Sequence, residues 1–256
     1  MAESGRAPGA WRIVSDVLLV VAVGLLALAA GLWLRAHQRY ERVEQASQVF
    51  QEYALPPASA PESNPPQVDW AGLQQANPQI VGWICVPGTT INYPVCQAAD
   101  NEYYLYRAPD RSPNDGGSIF LDYQNTAPGI VEQQTIVFGH HMKNGVMFKQ
   151  VADFNNQAFF DSVRTVWYCT PQASYRCVPL CLYYATADDL SVRRFSFDSG
   201  EDYAAYLGEL LAKAVTRAAD ADARAAAAPQ LLTLCTCNYI EGQGRSVLVC
   251  TVDGTA

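Results

Sequence analysis

The sequence predicts a mainly β fold, a closed eight-stranded barrel with peripheral helices, preceded by an N-terminal transmembrane helix. From residue 80 onward, short runs rich in β-branched and aromatic residues are separated by turn signals, with helical segments between nonadjacent runs. Upstream, residues 17–34 are eighteen consecutive positions without a charged or polar side chain. The first pattern predicts the barrel, and the second predicts the membrane helix.

The size and charge of the chain limit its class. It has 256 residues, of which 50% are hydrophobic, and a formal net charge of −8. This length suits one domain of ordinary size with appendages. The acidic balance and the lack of a Lys/Arg block argue against nucleic acid as a partner. The sequence contains no phosphate-binding glycine loop and no dinucleotide fingerprint, so we expect no cofactor.

The apolar segment at 17–34 would span roughly 27 Å as a helix, close to the thickness of a hydrocarbon core. A cleaved signal peptide is the alternative, because the segment is N-terminal and follows Arg6 and Arg12. The run is longer than a usual signal core, and a helix-compatible sequence continues through Glu52. These features favour an uncleaved anchor. Arginines on both sides of the segment leave its orientation undecided.

Shifts in composition divide the chain into a short tail at 1–12, a transmembrane anchor at 13–36, a juxtamembrane helix with a proline-rich linker at 37–68, and a barrel domain at 69–256. Residues 54–68 contain five prolines and almost no large apolar group. This composition predicts a stiff, extended spacer between membrane and domain.

Periodicity places the elements of the domain. Asp69 is expected to cap a helix at 70–76, and residues 145–161 are typical of short packed helices. Apolar residues at three- and four-residue spacing, followed by an alanine-rich tail, predict one long helix at 198–228. The predicted strands are 80–86, 91–95, 117–121, 134–138, 165–169, 175–187, 231–237 and 245–252.

Three reactive side chains lie at the ends of predicted strands. Cys237 ends the strand at 231–237, Arg245 opens the following strand, and His140 closes an earlier, short apolar strand. Sulfur attacks carbonyls as a thiolate, and a neighbouring imidazolium or guanidinium lowers the thiol pKa enough to populate that form. The pattern therefore indicates nucleophilic chemistry by a cysteine.

The same residues resemble a known family, the class B sortases of Gram-positive bacteria. The resemblance extends over 77–252 and rests on several motifs in order. They are Asn-Glu-Tyr-Tyr-Leu at 101–105, Gly-Ser-Ile-Phe-Leu-Asp at 117–122, Phe-Gly-His-His-Met-Lys-Asn-Gly at 138–145 and Thr-Leu-Cys-Thr-Cys at 233–237.

This resemblance implies the sortase-type barrel, with the long helix between its sixth and seventh strands, and a catalytic domain outside the cell on a single-pass anchor. It also implies acyl transfer. Cys237 would attack the threonine carbonyl in the C-terminal sorting signal of a surface protein or pilin, and His140 would protonate the departing amine. Arg245 would hold the carbonyl oxygen or anchor the signal peptide. An amine of peptidoglycan or a pilin lysine would then resolve the thioester.

Three further residues are candidates for substrate binding. Asn101 matches an asparagine near the active site of class B members, although on its own it would be a turn or helix-cap residue. Thr236 lies within the nucleophile strand, and Cys235 stands where class B members commonly carry serine. His141 adjoins His140 and is expected to point to the other side of an extended chain. The connection from Cys237 to Arg245 is also short for the family.

The remaining cysteines admit two interpretations. Each lies in an apolar, strand-like context, where a thiol packs as a small hydrophobe, and disulfides in an exported domain are the alternative. A zinc site is not expected, because the pair at 177 and 181 has no second ligand pair at matching spacing. We therefore expect no metal. The six residues are Cys85, Cys96, Cys169, Cys177, Cys181 and Cys250.

Two other functions stay open. A membrane-tethered cysteine protease would hydrolyse its substrate, although papain-like proteins place the cysteine before the histidine and this chain has the reverse order. A non-catalytic, anchored β-barrel assembly module would require the coincidence of cysteine, histidine and arginine at strand ends to be accidental.

Overall fold

The computed structural model describes residues 9–55, 61–186, 188–237 and 244–256, with Ala10, Arg39, Tyr40, Ser47, Leu190 and Cys237 described in their backbone only. The strands in these ranges are β1 (Ala54–Leu55), β2 (Gln67–Val68), β3 (Ile80–Cys85), β4 (Asn92–Cys96), β5 (Ile119–Leu121), β6 (Gln134–Gly139), β7 (Val166–Cys169), β8 (Ser174–Ala185), β9 (Ala214–Arg217), β10 (Leu231–Cys237) and β11 (Arg245–Thr255). The helices are α1 (Ala10–Gln51), α2 (Trp70–Ala76), α3 (Lys149–Asp153), α4 (Gln157–Ser162), α5 (Gly200–Ala212) and α6 (Ala221–Ala227), with short 3₁₀ turns at Tyr103–Leu105 and Leu190–Val192.

Eight strands form a closed barrel, as predicted. Hydrogen bonding runs in the order β11, β10, β6, β5, β4, β3, β7, β8, and β8 pairs with β11 to complete the ring. The pairs β4–β5 and β6–β10 are parallel, whereas the other neighbours in the ring are antiparallel. Strand β9 lies outside the ring and pairs with β8. Closure leaves the barrel strands without an open sheet edge.

The barrel separates an inner core from an outer one. On β10, Leu232 and Leu234 point inward and pack with Phe148 and Phe154. The alternate residues of the same strand, with Val247 and Val249 of β11, form an outer cluster that α5 and α6 cover. A strand places successive side chains on opposite faces, so both faces of β10 are buried over most of its length.

The helix predicted at 198–228 is wrong in its length. The structure has α5, then β9, then α6 in this stretch, and α5 lies between the sixth and seventh strands of the barrel. The β-branched pair Val215 and Thr216 belongs to β9, which pairs with β8, and the Thr216 hydroxyl donates to the Phe154 carbonyl at 2.7 Å. Pairing with the sheet overrides the helical tendency of the surrounding alanines, because strand pairing satisfies the backbone groups equally well.

The expected extended spacer at 54–68 also differs from the structure in its described residues. Strands β1 and β2 pair as an antiparallel ladder, so the segment folds back on itself. The carbonyl of Pro61 accepts a hydrogen bond from the indole N–H of Trp167 at 2.8 Å, and the carbonyl of Glu62 accepts one from the Thr165 hydroxyl at 3.1 Å. Prolines keep free carbonyls, and here these carbonyls dock the segment on the barrel.

The chain divides into two compact units, Met1–Arg42 and Val43–Ala256. In the first unit the described residues form the greater part of α1. Among the described residues, one helix, Trp11–Gln51, has the length and apolar composition needed to cross a membrane. In the second unit, the end of α1 packs on the barrel domain, where Val43 is 1% exposed and Phe50 is 4% exposed.

We predict that Phe50→Ala lowers the free energy of unfolding of the second unit by about 3–5 kcal/mol, because it removes a buried aromatic side chain from a separate hydrophobic cluster that contains Trp83 and Trp167. The matched control is Val49→Ala, since Val49 is 60% exposed on the same helical turn and its loss should change stability by less than about 0.5 kcal/mol. Urea denaturation of the full chain in detergent, followed by tryptophan fluorescence, measures both. Equal effects of the two variants would contradict the packing of residues 43–51, at the end of α1, within the second unit.

Candidate active site

The three predicted strand-end residues meet at one rim of the barrel. Strand β10 runs between β6 and β11, with Thr236 level with Gly139 on one side and Cys237 opposite Arg245 on the other. His140 follows Gly139 directly and is therefore level with the end of β10. Residues paired across neighbouring strands share a face and lie about 4.5–5.5 Å apart at Cα in antiparallel pairs. The register thus brings the backbones of cysteine, histidine and arginine into one row.

Gly139 allows this approach. A Cβ at this position would lie 2.4 Å from the Ile119 side chain and 2.8 Å from the ring of Phe148. The strand end therefore packs closely on the inner core, and the next residue, His140, is held by a hydrogen bond from the Phe148 N–H to its own carbonyl at 2.9 Å. Steric crowding requires glycine at position 139, since the side chain of any larger residue would displace the rim of the barrel.

The His140 ring has a defined partner. Its Nε2 lies 2.7 Å from the carbonyl oxygen of Leu105. A carbonyl only accepts hydrogen bonds, so Nε2 carries the proton and donates, which leaves Nδ1 for other chemistry. The ring of Tyr106 flanks the imidazole, with centroids 6.2 Å apart. The His140 side chain is half-buried, and Tyr106 is 65% exposed.

A tight loop fixes the Leu105 carbonyl. Gly117 has a φ of +58°, and a Cβ there would lie 2.5 Å from the carbonyl oxygens of both Tyr104 and Leu105. The Ser118 N–H donates to the Tyr104 carbonyl at 2.9 Å, and the Asn114 N–H donates to the Tyr106 carbonyl at 2.9 Å. The two halves of the loop thereby hold each other, which gives the acceptor for His140 a single position.

Arg245 is half-buried at the start of β11. Among the residues that the structure describes, no carboxylate forms an ion pair with its guanidinium. The side chain of Cys237 and the short connection at 238–243 lie outside the described residues, so the register alone relates Cys237 to Arg245.

The structure buries two of the candidate substrate-binding residues. Cys235 is 1% exposed in the outer cluster beneath α5, and Thr236 is 1% exposed on the opposite, inner face. The Thr236 hydroxyl and that of Ser246, which is opposite it on β11, have no hydrogen-bond partner in the described part of the chain. Cys235 and Thr236 are both almost fully buried, which favours packing over direct contact with a substrate.

Asn101 uses both ends of its amide within the protein. Its Nδ2 donates to Asp122 Oδ2 at 3.0 Å, and its Oδ1 accepts from the Tyr123 N–H at 3.0 Å. The fully buried Asp122 also receives two hydrogen bonds from Arg193, from Nε at 2.6 Å and Nη2 at 3.0 Å. The hydrogen bond to Asp122 raises the pKa of Arg193 above its ordinary value. Asn101 thus joins a network that ties the β5–β6 connection to the segment before α5.

The other thiols are poor nucleophiles. Among the described side chains no cysteine forms a disulfide. Burial raises the pKa of Cys169 to about 11 and the pKa values of Cys85, Cys96 and Cys181 to about 12. It raises the pKa values of Cys177 and Cys250 as well. Desolvation disfavours the thiolate, so these residues act as small hydrophobes. The burial of these six cysteines agrees with core packing.

The described residues contain no group of three His, Cys, Asp or Glu side chains that would hold a metal ion.

Sequence reasoning missed the Leu105 carbonyl and the Tyr106 ring as neighbours of His140. Leu105 belongs to the motif at 101–105 and Tyr106 adjoins it, so the sequence motif could have indicated that both lie near the site. The sequence gives no indication of the contact with His140, because a backbone oxygen makes it and the direction of that oxygen depends on the left-handed Gly117 on the other side of the loop.

Comparison with known proteins identifies the fold. No family model matches the chain. The sortase B of Staphylococcus aureus is 29% identical over 219 residues, which cover 83% of this chain and 83% of that protein. The sortase B of Listeria monocytogenes is 30% identical over 178 residues, covering 69% of this chain and 70% of that protein. A sortase B-like structure from Bacillus anthracis is 29% identical with a TM-score of 0.68, covering 86% of this chain and 97% of its own.

The closed barrel with this strand order matches the sortase B structures, and the sortase B relatives identify a cysteine transpeptidase. The chain belongs to the class B sortases.

We predict that Gly117→Ala lowers turnover of sorting-signal peptides and costs about 2–5 kcal/mol of stability. The left-handed backbone conformation accounts for about 1–2 kcal/mol, and the clash with the Leu105 carbonyl accounts for the remainder. Gly88→Ala is the matched control, because Gly88 has a φ of +80° and open space around the added Cβ. It should show the conformational cost alone, with normal turnover. Turnover of folded protein and urea midpoints measure the two effects, and an equal loss of turnover in both variants would contradict a role for the loop in orienting His140.

Proposed function

We propose that this chain is a membrane-anchored transpeptidase that cleaves the C-terminal sorting signal of surface proteins through a thioester at Cys237. The acyl group then passes to an amine of peptidoglycan or of a pilin subunit. One observation carries the proposal. The register of β10 puts Cys237 opposite Arg245 and level with His140, at one rim of a sortase barrel.

The acylation step uses Cys237 and His140. The Cys237 thiolate attacks the threonine carbonyl of the sorting signal, and the carbonyl π electrons move to oxygen. When the tetrahedral intermediate collapses, the C–N bond breaks and imidazolium His140 gives a proton to the departing amine. A thioester, a free amine and neutral His140 result. Because the Leu105 carbonyl binds Nε2–H, the proton comes from Nδ1.

Arg245 is the group that holds the oxyanion or the signal peptide. Its guanidinium has five N–H donors in a planar fork, suited to an oxygen that gains charge. The paired position opposite Cys237 supports this role, since a carbonyl attacked by Cys237 would lie next to the strand that begins at Arg245. Asn101, Thr236 and Cys235 shape the surroundings through packing and hydrogen bonding, with no direct contact required.

Relatives support the substrate class. A structure of the Staphylococcus aureus sortase B is described as a substrate complex, and another sortase B structure is described as a complex with triglycine. Each is 26% identical to this chain with a TM-score of 0.66. A peptide substrate and a peptide amine are what acyl transfer requires. The proposal extends these two partners to this chain as a sorting signal and an amine acceptor.

We further propose that 13–36 anchors the protein in the membrane with the domain at 69–256 outside the cell. The exposed apolar face of α1 supports the anchor, because its most apolar stretch has no buried residue. Residues 1–12 would be the tail on the other side, and 37–68 would join the anchor to the domain. The described part of this joining segment docks on the barrel as well.

A membrane-tethered protease is the second candidate, since a thioester that water resolves gives hydrolysis. The family assignment disfavours the third, a non-catalytic assembly module. Protease and transpeptidase share Cys237, His140 and Arg245 and differ in what resolves the thioester.

We predict that the full chain in detergent, incubated with sorting-signal peptides, shows a thioester adduct by intact mass, and that triglycine converts it to a peptide product. Cys237→Ala should abolish the adduct and the product. Cys235→Ser should retain both, because Cys235 is buried beneath α5. An adduct in Cys237→Ala would place the nucleophile elsewhere, and hydrolysis alone under saturating triglycine would favour the protease.

We predict that Arg245→Lys lowers kcat/KM for the peptide by on the order of 10²-fold, because a point ammonium lacks the fork that reaches two acceptors. Folding should be unchanged, since the side chain is only half-buried. Arg176→Lys is the control, as Arg176 pairs with Asp253 on an exposed part of the barrel. Unchanged kinetics in Arg245→Lys would reduce Arg245 to a surface charge.

A further inference from the structure

The exposed ring of Tyr106 is a feature that the acylation step does not use. It is 65% exposed and lies beside the half-buried His140, with ring centroids 6.2 Å apart and an interplanar angle of 46°. The arginine that follows it in the chain, Arg107, lies over Tyr103 instead, 4.8 Å from that ring centroid. The Tyr106 ring is therefore accessible to a ligand.

The position of the acceptor follows from proton balance. An amine that resolves the thioester must lose a proton as the C–N bond forms, and neutral His140 is the base left by acylation. Since Nε2–H is bound to the Leu105 carbonyl, the acceptor nitrogen must approach Nδ1. The Tyr106 ring lies beside this imidazole and is exposed to solvent. An acceptor nitrogen in contact with the imidazole therefore lies within reach of the Tyr106 ring.

The charge of the acceptor suits the ring. A primary amine in water at neutral pH is mostly an ammonium, and aromatic faces attract ammonium groups. The loop at 100–118 that carries Tyr106 contains four acidic and two basic side chains, which favours a cation. The loop is also rigid, because Asn114 and Gly117 hold it, so the ring is preorganised.

We propose that Tyr106 forms the docking subsite for the primary ammonium of the acceptor, next to His140. This inference rests on the proposed function. The ammonium binds at the ring face and gives one proton to solvent, and the neutral amine attacks the thioester carbonyl. A C–N bond forms, the C–S bond breaks with its electron pair on sulfur, and the second proton passes from nitrogen to His140 Nδ1. The amide product and the thiolate–imidazolium pair result.

The test separates acceptor binding from acylation. With the full chain in detergent and saturating sorting-signal peptide, Tyr106→Leu should raise the KM for triglycine roughly two- to fivefold, as an exposed cation–π contact implies. The KM for the peptide and the rate of thioester formation should be unchanged. Tyr106→Phe keeps the ring and should stay close to the wild type. Hydroxylamine, which is mostly uncharged at neutral pH, should resolve the thioester with the same KM in all variants.

Tyr123→Leu is the matched control, because Tyr123 is 44% exposed but lies against Arg193. It should leave the triglycine KM unchanged. An unchanged triglycine KM in Tyr106→Leu, or an equal rise for hydroxylamine, would overturn the inference while thioester formation upholds the proposed function. A wild-type chain that forms no thioester would overturn both.

Discussion

The register of β10 between β6 and β11 is the constraint on which the site depends. A slip of one residue would exchange the faces of the strand and move Leu232 and Leu234 out of the inner core. Each such side chain contributes about 1.5–3 kcal/mol by burial, so the slip is strongly disfavoured. The position of Cys237 opposite Arg245 is therefore set by leucines deeper in the barrel, and the site can carry reactive groups without having to stabilise its own geometry.

Burial also determines which thiols are available for chemistry. Both faces of the barrel wall are covered, the inner by the packed core and the outer by α5, α6 and the end of α1. Thiols within these clusters lose hydration, which keeps them protonated and unreactive. Under the proposed function, this cysteine-rich chain carries out nucleophilic chemistry at one strand end without competition from the thiols of its own core, because thiol reactivity depends on solvation as well as on residue type.

Much of the fold could be predicted from local pattern. The helix capped by Asp69 and the strand that ends at Cys237 have the predicted bounds, because a cap and a β-branched run are local signals. The prediction of one long helix at 198–228 was wrong, since the pairing of Thr216 with β8 is a tertiary effect. In the site, the row of cysteine, histidine and arginine positions followed from strand ends, whereas the burial of Cys235 depended on which face α5 covers.

The hydrogen-bond partner of His140 could not be predicted from the sequence, because it is a backbone carbonyl. A backbone carbonyl orients the imidazole without adding a negative charge. A carboxylate in its place would favour the imidazolium and hold back the proton that the departing amine must take. In the proposed mechanism, the neutral Leu105 carbonyl fixes the tautomer, so Nδ1 is the nitrogen that gives and receives protons. No side chain encodes this acceptor, so its position rests on the left-handed Gly117, and the proposed acid–base chemistry at the rim depends on a turn in a separate part of the chain.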